Sequence, residues 1–496
     1  MAVQRQTLAF GVFSSHLVLA VAALVVFAVL IRAIYQGLTG PTARLPGTLI
    51  SRWTDLPVRV RTLLSTRAQY VHSLHEKYGP VIRLGPNDVD VSDVDAAREI
   101  HRVRDPFLKS EFYGPGGRIQ SMFSTRDPQF HSQRRRLLGP YFSEASLNAF
   151  EDKVAGLVQA AVDGILSESK RTGCADILKW WTLMAMDVIA DLTFGESFGM
   201  VSSGEKTQFA EDVGKLGSIL PLRTAFPIIF ALGPYLSFIP FFHEIATSRE
   251  RILKVQQKRV ARFMELVEAD DSARSKSVFG ALVKKSKETD LAPMDLIIEA
   301  QSFITAGTDT TAVTLTYLIW AVCQDSKVKQ NLLRELTDLP EDFKNNDLKA
   351  LPYLNNVIDE ALRCYGAAPG SLPRVVPPAG ASLAEHTIPG GVVVSTQAYS
   401  LHRDGNIFET PEKFDPSRWE NPSKSMLNAS MPFGIGPRGC VGIHLARMEL
   451  RLATAKFFRA APNVRISTKE DMSNSDMDPT ISFLLMPKGH RCLVEV

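Results

Sequence analysis

The feature that most constrains the fold of this chain is an uninterrupted apolar run near its N-terminus. Leu17 to Ile31 reads LVLAVAALVVFAVLI, and the segment can be extended back to Leu8. At about 1.5 Å per residue, a helix over residues 8–31 is long enough to cross a bilayer. A cleaved signal peptide is the alternative, but the run is long for one and no clear small-x-small cleavage site follows it. We therefore predict a transmembrane anchor at residues 8–31.

The basic residues around this run predict its orientation. Arg5 alone precedes it, whereas several arginines follow it closely, namely Arg32, Arg44, Arg52, Arg59 and Arg61. The positive-inside rule then puts the body of the protein on the cytoplasmic side. Gly40-Pro41 and Leu45-Pro46-Gly47 should stop the helix, which predicts a short Pro/Gly hinge over residues 32–50.

The charge and the cysteines of the chain exclude two classes of protein. With 56 basic and 53 acidic residues, the net charge of +3 is too balanced to suggest a nucleic-acid partner. The cysteines are scattered and form neither a C-x-x-C pair nor a disulfide framework, which indicates a reducing compartment: Cys174, Cys323, Cys364, Cys440 and Cys492. At most one or two of them should carry chemistry.

Helical periodicity dominates the body of the chain. It predicts helices over 66–78, 128–138, 144–168, 176–193, 248–268, 293–323, 327–338, 352–364 and 441–459. Extended runs are few: residues 81–84 and 89–91 should form a hairpin, and 391–395 and 481–485 should be strands. No Pro/Gly/Ser-rich linker divides the body. The prediction is a mainly α fold with a small β part, of the α+β class, in one domain over residues 51–496.

A glycine-rich stretch, Pro432 to Gly442, reads PFGIGPRGCVG and contains a literal G-x-G-x-x-G. A dinucleotide-binding loop needs an apolar strand before the glycines and an acidic residue about 20 positions later. Residues 427–433 fit no strand, and the sequence near position 459 contains no acid. The phosphate-binding interpretation therefore fails on its context.

A chemical role for the cysteine explains this stretch better than a phosphate-binding loop does. Apolar residues after Cys440 recur at helical spacing, which puts its thiol near a helix N-terminus, where the free amides favour a thiolate. An inert buried cysteine is the ordinary alternative, but it leaves the surrounding glycines, which allow close backbone approach, unexplained. From these residues alone, Cys440 is either a nucleophile or a metal ligand.

The spacing Phe433-x-x-Gly436-x-Arg438-x-Cys440-x-Gly442 resembles, without a departure, the haem-binding loop of the cytochrome P450 haem-thiolate monooxygenases. The resemblance implies the cytochrome P450 fold and makes Cys440 the axial thiolate ligand of haem b. It also implies that Phe433 packs near the sulfur, that Arg438 pairs with a haem propionate, and that Gly442 lets the next helix pass close to the porphyrin. Gly434 lies in the same cofactor-binding loop.

The predicted helix over 293–323 has an unusually polar middle, Ala306-Gly-Thr-Asp-Thr-Thr311. The Thr310 hydroxyl can donate a hydrogen bond back to the carbonyl of Ala306. The ordinary interpretation of such a cluster is that its hydroxyl groups form hydrogen bonds within the helix. The segment also resembles the oxygen-binding groove of the family. By that resemblance, Asp309 relays protons and Thr310 holds a water molecule near the dioxygen.

Two further motifs of the family occur in order. Glu360-Ala-Leu-Arg363 resembles its E-x-x-R motif, although alone it is an ordinary i, i+3 ion pair. Residues 414–419, FDPSRW, resemble its P-E-R-F region, which implies that Arg418 completes a structural triad with Glu360 and Arg363. Ser417 replaces the commoner acid.

Two more basic sites are implied to bind the haem propionates. Arg374 follows the E-x-x-R helix, and His131-x-x-x-Arg135 stands where many members have W-x-x-x-R, with a solvated basic face as the alternative for His131. Five residues are expected to line the substrate pocket: Ile298, Phe303, Ala306, Leu372 and Phe483.

The resemblance implies a monooxygenase of the endoplasmic reticulum membrane, similar to filamentous-fungal members of secondary metabolism. The chain has no flavin or nicotinamide motif, so electrons should come from a separate NADPH-dependent cytochrome reductase, with a small electron-transfer cytochrome as a second donor. The reductase should dock near four basic residues: Lys413, Lys424, Arg447 and Arg451.

The substrate is expected to be an apolar small molecule. The aromatic segment 226–242 is either a buried helix pair or a membrane-dipping mouth of the substrate channel, in contact with lipid. Two other functions stay open: a haem-thiolate isomerase or dehydratase without net oxygenation, and a non-catalytic membrane haem binder.

Overall fold

The computed structural model describes residues 2–114, 120–269 and 292–496. Its first helix, Ala2–Thr39, contains the predicted anchor and continues eight residues past Ile31. Within the described residues, one segment is long and apolar enough to cross a membrane, Ala20–Thr39, with a mean hydropathy of 2.1 and almost no buried residue. The helix ends at Gly40-Pro41, because proline cannot continue it. The apolar N-terminal helix thus matches an anchor in length and exposure.

The segment after the predicted anchor is bonded to the body of the protein. Arg83, which is only 2% exposed, points its guanidinium into this segment and donates to the carbonyls of Thr42, Ala43, Leu45 and Thr48 and to the Ser51 hydroxyl, over 2.7–3.2 Å. Trp53 packs against Gly37 so closely that a Cβ there would lie 2.1 Å from its Nε1. Residues 32–39 thus continue the first helix, and residues 42–51 are bonded to the body of the protein, while the hinge itself stays a prediction.

The body is mainly helical, as predicted. Its α-helices are Leu56–Leu63, Arg67–Tyr78, Val94–Ile100, Pro128–Leu138, Glu144–Asn148, Glu151–Thr172, Ile177–Phe194, Met200–Ser203, Gln208–Ser218, Leu220–Ala225, Pro227–Ala231, Pro240–Ala269, Pro293–Gln324, Ser326–Thr337, Asn345–Lys349, Pro352–Tyr365, Ala398–Leu401, Lys424–Ala429 and Ile443–Ala460. Short 3₁₀ turns connect several of them.

Two of the predicted helices have different bounds. The helix predicted over 144–168 is two helices, because the amides of Ala149 and Phe150 bond to carbonyls three residues back, which tightens and ends the first one. The helix predicted over 248–268 begins at Pro240, a residue favoured in the first turn.

The core is built around the central helix, Pro293–Gln324, which packs along Ile177–Phe194. The latter helix is buried on nearly all sides, as expected for a sequence that is apolar around its whole circumference. Gly307 permits this close packing, since a Cβ at that position would lie 3.2 Å from Ile189. This close packing determines the position of the central helix in the middle of the domain.

The β part consists of small sheets. The largest has the strand order Val81–Gly85, Asp88–Val91, Val393–Ser395, Arg374–Val375, Leu108–Lys109, and its first two strands form the predicted hairpin. A three-stranded sheet contains Ala175–Asp176, Leu493–Glu495 and Arg465–Ile466, and one hairpin contains Ala381–Leu383 and His386–Ile388. The strand predicted over 481–485 is instead the turn of a hairpin between Pro479–Ile481 and Leu485–Pro487.

The aromatic segment 226–242 is not a buried helix pair. Its short helix Pro227–Ala231 and the following 3₁₀ turn leave large apolar side chains exposed, with Ile228, Tyr235 and Phe238 at 76–81%. Next to it, the helix Leu56–Leu63 packs on Leu220–Ala225 and exposes further apolar side chains: Leu56, Val60, Leu63 and Leu64. We call this combined face the apolar surface.

Candidate functional site

A cavity of about 1580 Å³ lies between the central helix and the loop that carries Cys440. All five predicted pocket residues line it: Ile298, Phe303, Ala306, Leu372 and Phe483. It is also lined by Asp309, Thr310 and every predicted cofactor-binding residue except Gly436. Residues that lie far apart in the sequence thus meet at one internal site.

The Cys440 loop, residues 432–442, folds back on itself. The amide of Cys440 donates to the carbonyl of Phe433 over 2.9 Å, and Gly434 and Gly436 adopt φ values of +66° and +71°, which favour glycine. At Gly436 a Cβ would lie 1.8 Å from the carbonyl oxygen of His101. Gly436 is therefore needed for backbone packing against His101; it does not line the cavity, and its place in cofactor binding stays a prediction.

The Cys440 thiol is exposed to the cavity. Removal from bulk water raises its pKa, and the amide of Gly442 and the charge of Arg135 only partly oppose this effect. Gly442 is the N-cap of the helix Ile443–Ala460, so the helix N-terminus does lower the pKa as expected from the sequence, but burial outweighs this effect. A metal ion bound here would hold this cysteine as a thiolate, because coordination deprotonates a thiol.

Basic side chains converge at one end of the cavity, which we call the basic end: His101, Lys109, His131, Arg135, Arg374 and Arg438. Arg374 is 3% exposed and donates to the Tyr113 hydroxyl over 3.0 Å. Arg135 donates to the carbonyl of Gly439 over 2.6 Å, and Arg438 donates to that of Thr125 over 2.9 Å. Within the described parts of the chain, no carboxylate forms an ion pair with Lys109 or with these three arginines.

The electrostatics of the basic end follow from this lack of anions. Burial and the neighbouring Arg374 and Arg438 lower the pKa of Lys109 to about 6. Burial, assisted by Arg438 and Arg135, lowers the pKa of His131 to about 3. Unpaired buried cations are costly, so this end of the cavity suits a ligand that brings its own carboxylates. The two propionates of haem b meet that requirement, with Cys440 at the same cavity to reach the iron.

The polar middle of the central helix faces the same cavity. Thr310 donates to the carbonyl of Ala306 over 2.6 Å, as predicted, and the helix stays continuous through this bond. Burial raises the pKa of Asp309, and the nearby Lys206 opposes the shift. Thr311 bonds to Glu449 over 3.0 Å, and burial raises the pKa of Glu449 to about 8. A proton can therefore reside on Asp309 closer to neutral pH than on an ordinary aspartate.

The predicted triad of Glu360, Arg363 and Arg418 is assembled beside the loop. Glu360 and Arg363 are fully buried, with Arg363 donating from Nη2 to Oε1 over 2.8 Å and from Nε to Oε2 over 2.9 Å. Arg418 reaches Oε1 over 3.0 Å. The indole of Trp419 donates to Oε2 over 2.9 Å, a contact that the family resemblance did not suggest. The cluster joins the helix Pro352–Tyr365 to the segment before the loop.

Sequence reasoning missed several residues of the site: His101, Lys109, Tyr113, Trp419 and Glu449. Trp419 lies in the FDPSRW stretch, but no role was expected of it, and the other four belong to no motif that spacing identifies. A lysine inside the two-residue strand Leu108–Lys109 was the one available signal, because an inward-facing lysine needs a partner.

Comparisons with known proteins agree with this geometry. A family model described as Cytochrome P450 matches residues 57–494. The chain is 45% identical to the cytochrome P450 monooxygenase tazI of Aspergillus terreus, over 93% of this chain and 95% of that protein. It is 42% identical to the cytochrome P450 monooxygenase orf2 of Aspergillus niger (93% and 94% covered), and 36% identical to stcB of Emericella nidulans (92% and 88% covered).

Proposed function

The chain belongs to the cytochrome P450 family of monooxygenases, and from this premise we propose that it is a membrane-anchored enzyme that hydroxylates or otherwise oxidises a small molecule of fungal secondary metabolism. The overall reaction is R–H + O₂ + two electrons + two protons giving R–OH and water. The proposed location is the endoplasmic reticulum, with the catalytic domain on the cytoplasmic side. The fungal sources of the similar monooxygenases support the proposed metabolic setting.

One observation carries this proposal: a single cavity is lined by Cys440, by the cations of the basic end, and by Asp309 and Thr310, which we call the acid–alcohol pair. Cys440 would ligate the iron, and Arg135, Arg374, Arg438 and His131 would hold the propionates. When bound, haem b would supply the iron at which dioxygen is activated, and Cys440 would hold that iron through its thiolate.

The acid–alcohol pair is suited to deliver protons. The Thr310 hydroxyl donates its hydrogen to Ala306, so its oxygen lone pairs can accept a hydrogen bond from a water molecule in the cavity. Asp309 precedes Thr310 on the helix, and its raised pKa brings it closer to the range in which a side chain both takes up and releases protons. We assign Asp309 to proton transfer and Thr310 to holding the water through which the proton passes.

The electrons would come from an NADPH-dependent reductase, with a small electron-transfer cytochrome as a second donor. Of the four predicted docking residues, Arg447 is paired with Asp359 over 2.8 Å, and Lys413 lies 3.3 Å from Asp415. Arg451 donates to Asn355 over 2.8 Å, whereas Lys424 is exposed. We therefore propose Lys424 as the most available contact for an acidic partner, with the other three as a partly neutralised border.

The apolar surface supports a membrane-dipping channel mouth. It joins the aromatic segment to the helix Leu56–Leu63, and Leu63, Leu64, Leu220 and Pro221 of this region also line the cavity. Exposed aromatic and aliphatic side chains of this size favour the lipid interface over water. An apolar substrate dissolved in the bilayer would therefore reach the cavity without crossing water.

A spectrum tests the haem-thiolate assignment first. The reduced protein with carbon monoxide should absorb near 450 nm, and Cys440→Ala should abolish that band. Cys174→Ala, which alters a buried cysteine that does not line the cavity, is the matched control and should keep it. A band at 450 nm in Cys440→Ala would refute the assigned ligand.

Coupling tests the oxygenase assignment against its alternatives. With reductase present, Thr310→Ala should strongly reduce the product formed per NADPH, because it removes the hydroxyl that holds the proton-delivering water; a positioned general acid or base contributes roughly a hundredfold or more. Thr316→Ala removes a hydroxyl that bonds to Ala312 away from the cavity and should leave coupling unchanged. Product formation without NADPH would instead favour an isomerase or dehydratase, and NADPH use without product from any extract would favour a non-catalytic haem binder.

A further inference from the structure

The central helix presents one face to the cavity, and the middle of that face is polar. Five lining residues of this helix are separated alternately by three positions and by one, which places them on one side of it: Ile298, Gln301, Ser302, Thr305 and Ala306. Thr305 and Ala306 are exposed to the cavity, although the helix runs through the interior of the domain. Gln301, Ser302 and Thr305 thus form a polar row that ends beside the acid–alcohol pair.

Among the described residues, the side chains of this row have no hydrogen-bond partner within the protein. Elsewhere on the same helix, the hydroxyls of Thr308, Thr310, Thr314 and Thr316 each donate to the carbonyl four residues earlier. Within the described parts of the chain, the side chains of Gln301, Ser302 and Thr305 form no such bond. Their donors and acceptors therefore remain available to a molecule in the cavity.

Aromatic rings line another part of the same cavity. Phe123 and Phe483 meet edge to face with their centroids 6.2 Å apart, and Tyr113 lies 5.7 Å from Phe123. Such rings pack well on flat, unsaturated ligands. A purely hydrocarbon ligand would cover the polar row and leave its groups without hydrogen bonds, which costs affinity. A ligand with oxygen atoms along one edge satisfies both surfaces.

We propose that the substrate is a flat ring compound that carries hydroxyl or carbonyl groups, and that Gln301, Ser302 and Thr305 bind those groups. This inference rests on the proposed function and narrows the expectation of an apolar substrate. Gln301 and Thr305 are four residues apart, so they lie about 6 Å apart along the helix. Oxygen substituents on neighbouring rings can therefore be bound together, with Thr305 holding the end nearest Asp309 and Thr310.

Matched probes test this assignment in the purified holoenzyme. Dissociation constants are measured from the change in the haem spectrum for three hydrocarbon–phenol pairs: naphthalene and 1-naphthol, phenanthrene and 9-hydroxyphenanthrene, and pyrene and 1-hydroxypyrene. In the wild type, at least one phenol should bind more tightly than its hydrocarbon. Thr305→Val, Ser302→Ala or Gln301→Leu should reduce that preference roughly threefold to tenfold, the loss expected for one neutral hydrogen bond.

Thr316→Val is the matched control and should leave the preference unchanged, because its hydroxyl bonds to Ala312 outside the cavity. The 450 nm band with carbon monoxide identifies folded variants, and its loss from the wild type would contradict the proposed function instead. Any one of the three variants that retains the band is sufficient for the comparison. The inference is overturned if no phenol outbinds its hydrocarbon, or if the folded variants keep the wild-type preference.

Discussion

Replacing Glu360 by glutamine should release the segment that carries the Cys440 loop. Glu360 is fully buried and accepts hydrogen bonds from Arg363, Arg418, Trp419 and the amide of Asp415. Glutamine keeps one acceptor oxygen and directs an amide donor at groups that are donors themselves. The substitution also leaves the buried Arg363 without its counter-ion. Breaking a buried ion pair in this way costs about 3–5 kcal/mol, and at 1.36 kcal/mol per tenfold change the folded population is disfavoured roughly a thousandfold.

The assay is the fraction of haem protein that shows the 450 nm band with carbon monoxide, followed through a urea titration. We expect Glu360→Gln to lose the band at much lower urea than the wild type, and to recover little haem even without urea. Glu420→Gln is the control, because Glu420 is exposed next to Trp419 and forms none of these bonds. An unchanged midpoint in Glu360→Gln would show that the cluster does not hold the loop.

Three further perturbations test other parts of the structure. Arg83→Met should destabilise the fold by about 3 kcal/mol, since several buried bonds to a charged group are lost, and should expose residues 42–52 to trypsin; equal cleavage in both proteins would argue against a pinned linker. Lys109 has a folded pKa of about 6, below its unfolded value, so in haem-free protein its destabilising effect is full below that pH and disappears as pH rises toward 10.5. In haem-free protein, the thermal midpoint should therefore rise between pH 6 and pH 9 in the wild type and rise less in Lys109→Met. In holoenzyme, where the propionates would keep Lys109 charged, the two proteins should show the same pH dependence. A steeper pH dependence of the wild type in holoenzyme would contradict this explanation. A fluorophore on Tyr235→Cys should be quenched by nitroxide lipids and one on Val103→Cys, 75% exposed in another region, should not; equal quenching would exclude an inserted apolar surface.

Motifs that depend on a short local geometry could be predicted from the sequence. The back-bond of Thr310 to Ala306 and the pairing of Glu360 with Arg363 follow from helix spacing, and both are present. The convergence of Lys109, Tyr113 and Arg374 could not be predicted, because it depends on how two-residue strands pair across the sheet. The helix N-terminus that lowers the pKa of the Cys440 thiol could be predicted from the sequence, whereas the burial in a cavity that raises this pKa could not.

The bonds between the predicted hinge and the body could not be predicted either. Prolines and glycines mark where a helix stops, but they do not reveal whether the segment after it is tied to the domain. Arg83 forms hydrogen bonds to the linker from a strand more than thirty residues away, and no local pattern around the linker predicts these bonds.

The pinned linker has a consequence for how the enzyme responds to its lipid environment. A transmembrane helix adjusts its tilt when the hydrocarbon thickness of the bilayer changes. In the proposed membrane-anchored enzyme, Trp53 packs on Gly37 and Arg83 bonds to residues 42–51, so a change in tilt would be passed to the catalytic domain as a rotation. A thicker or thinner membrane would then change the depth at which Tyr235 and Phe238 of the proposed channel mouth enter the lipid.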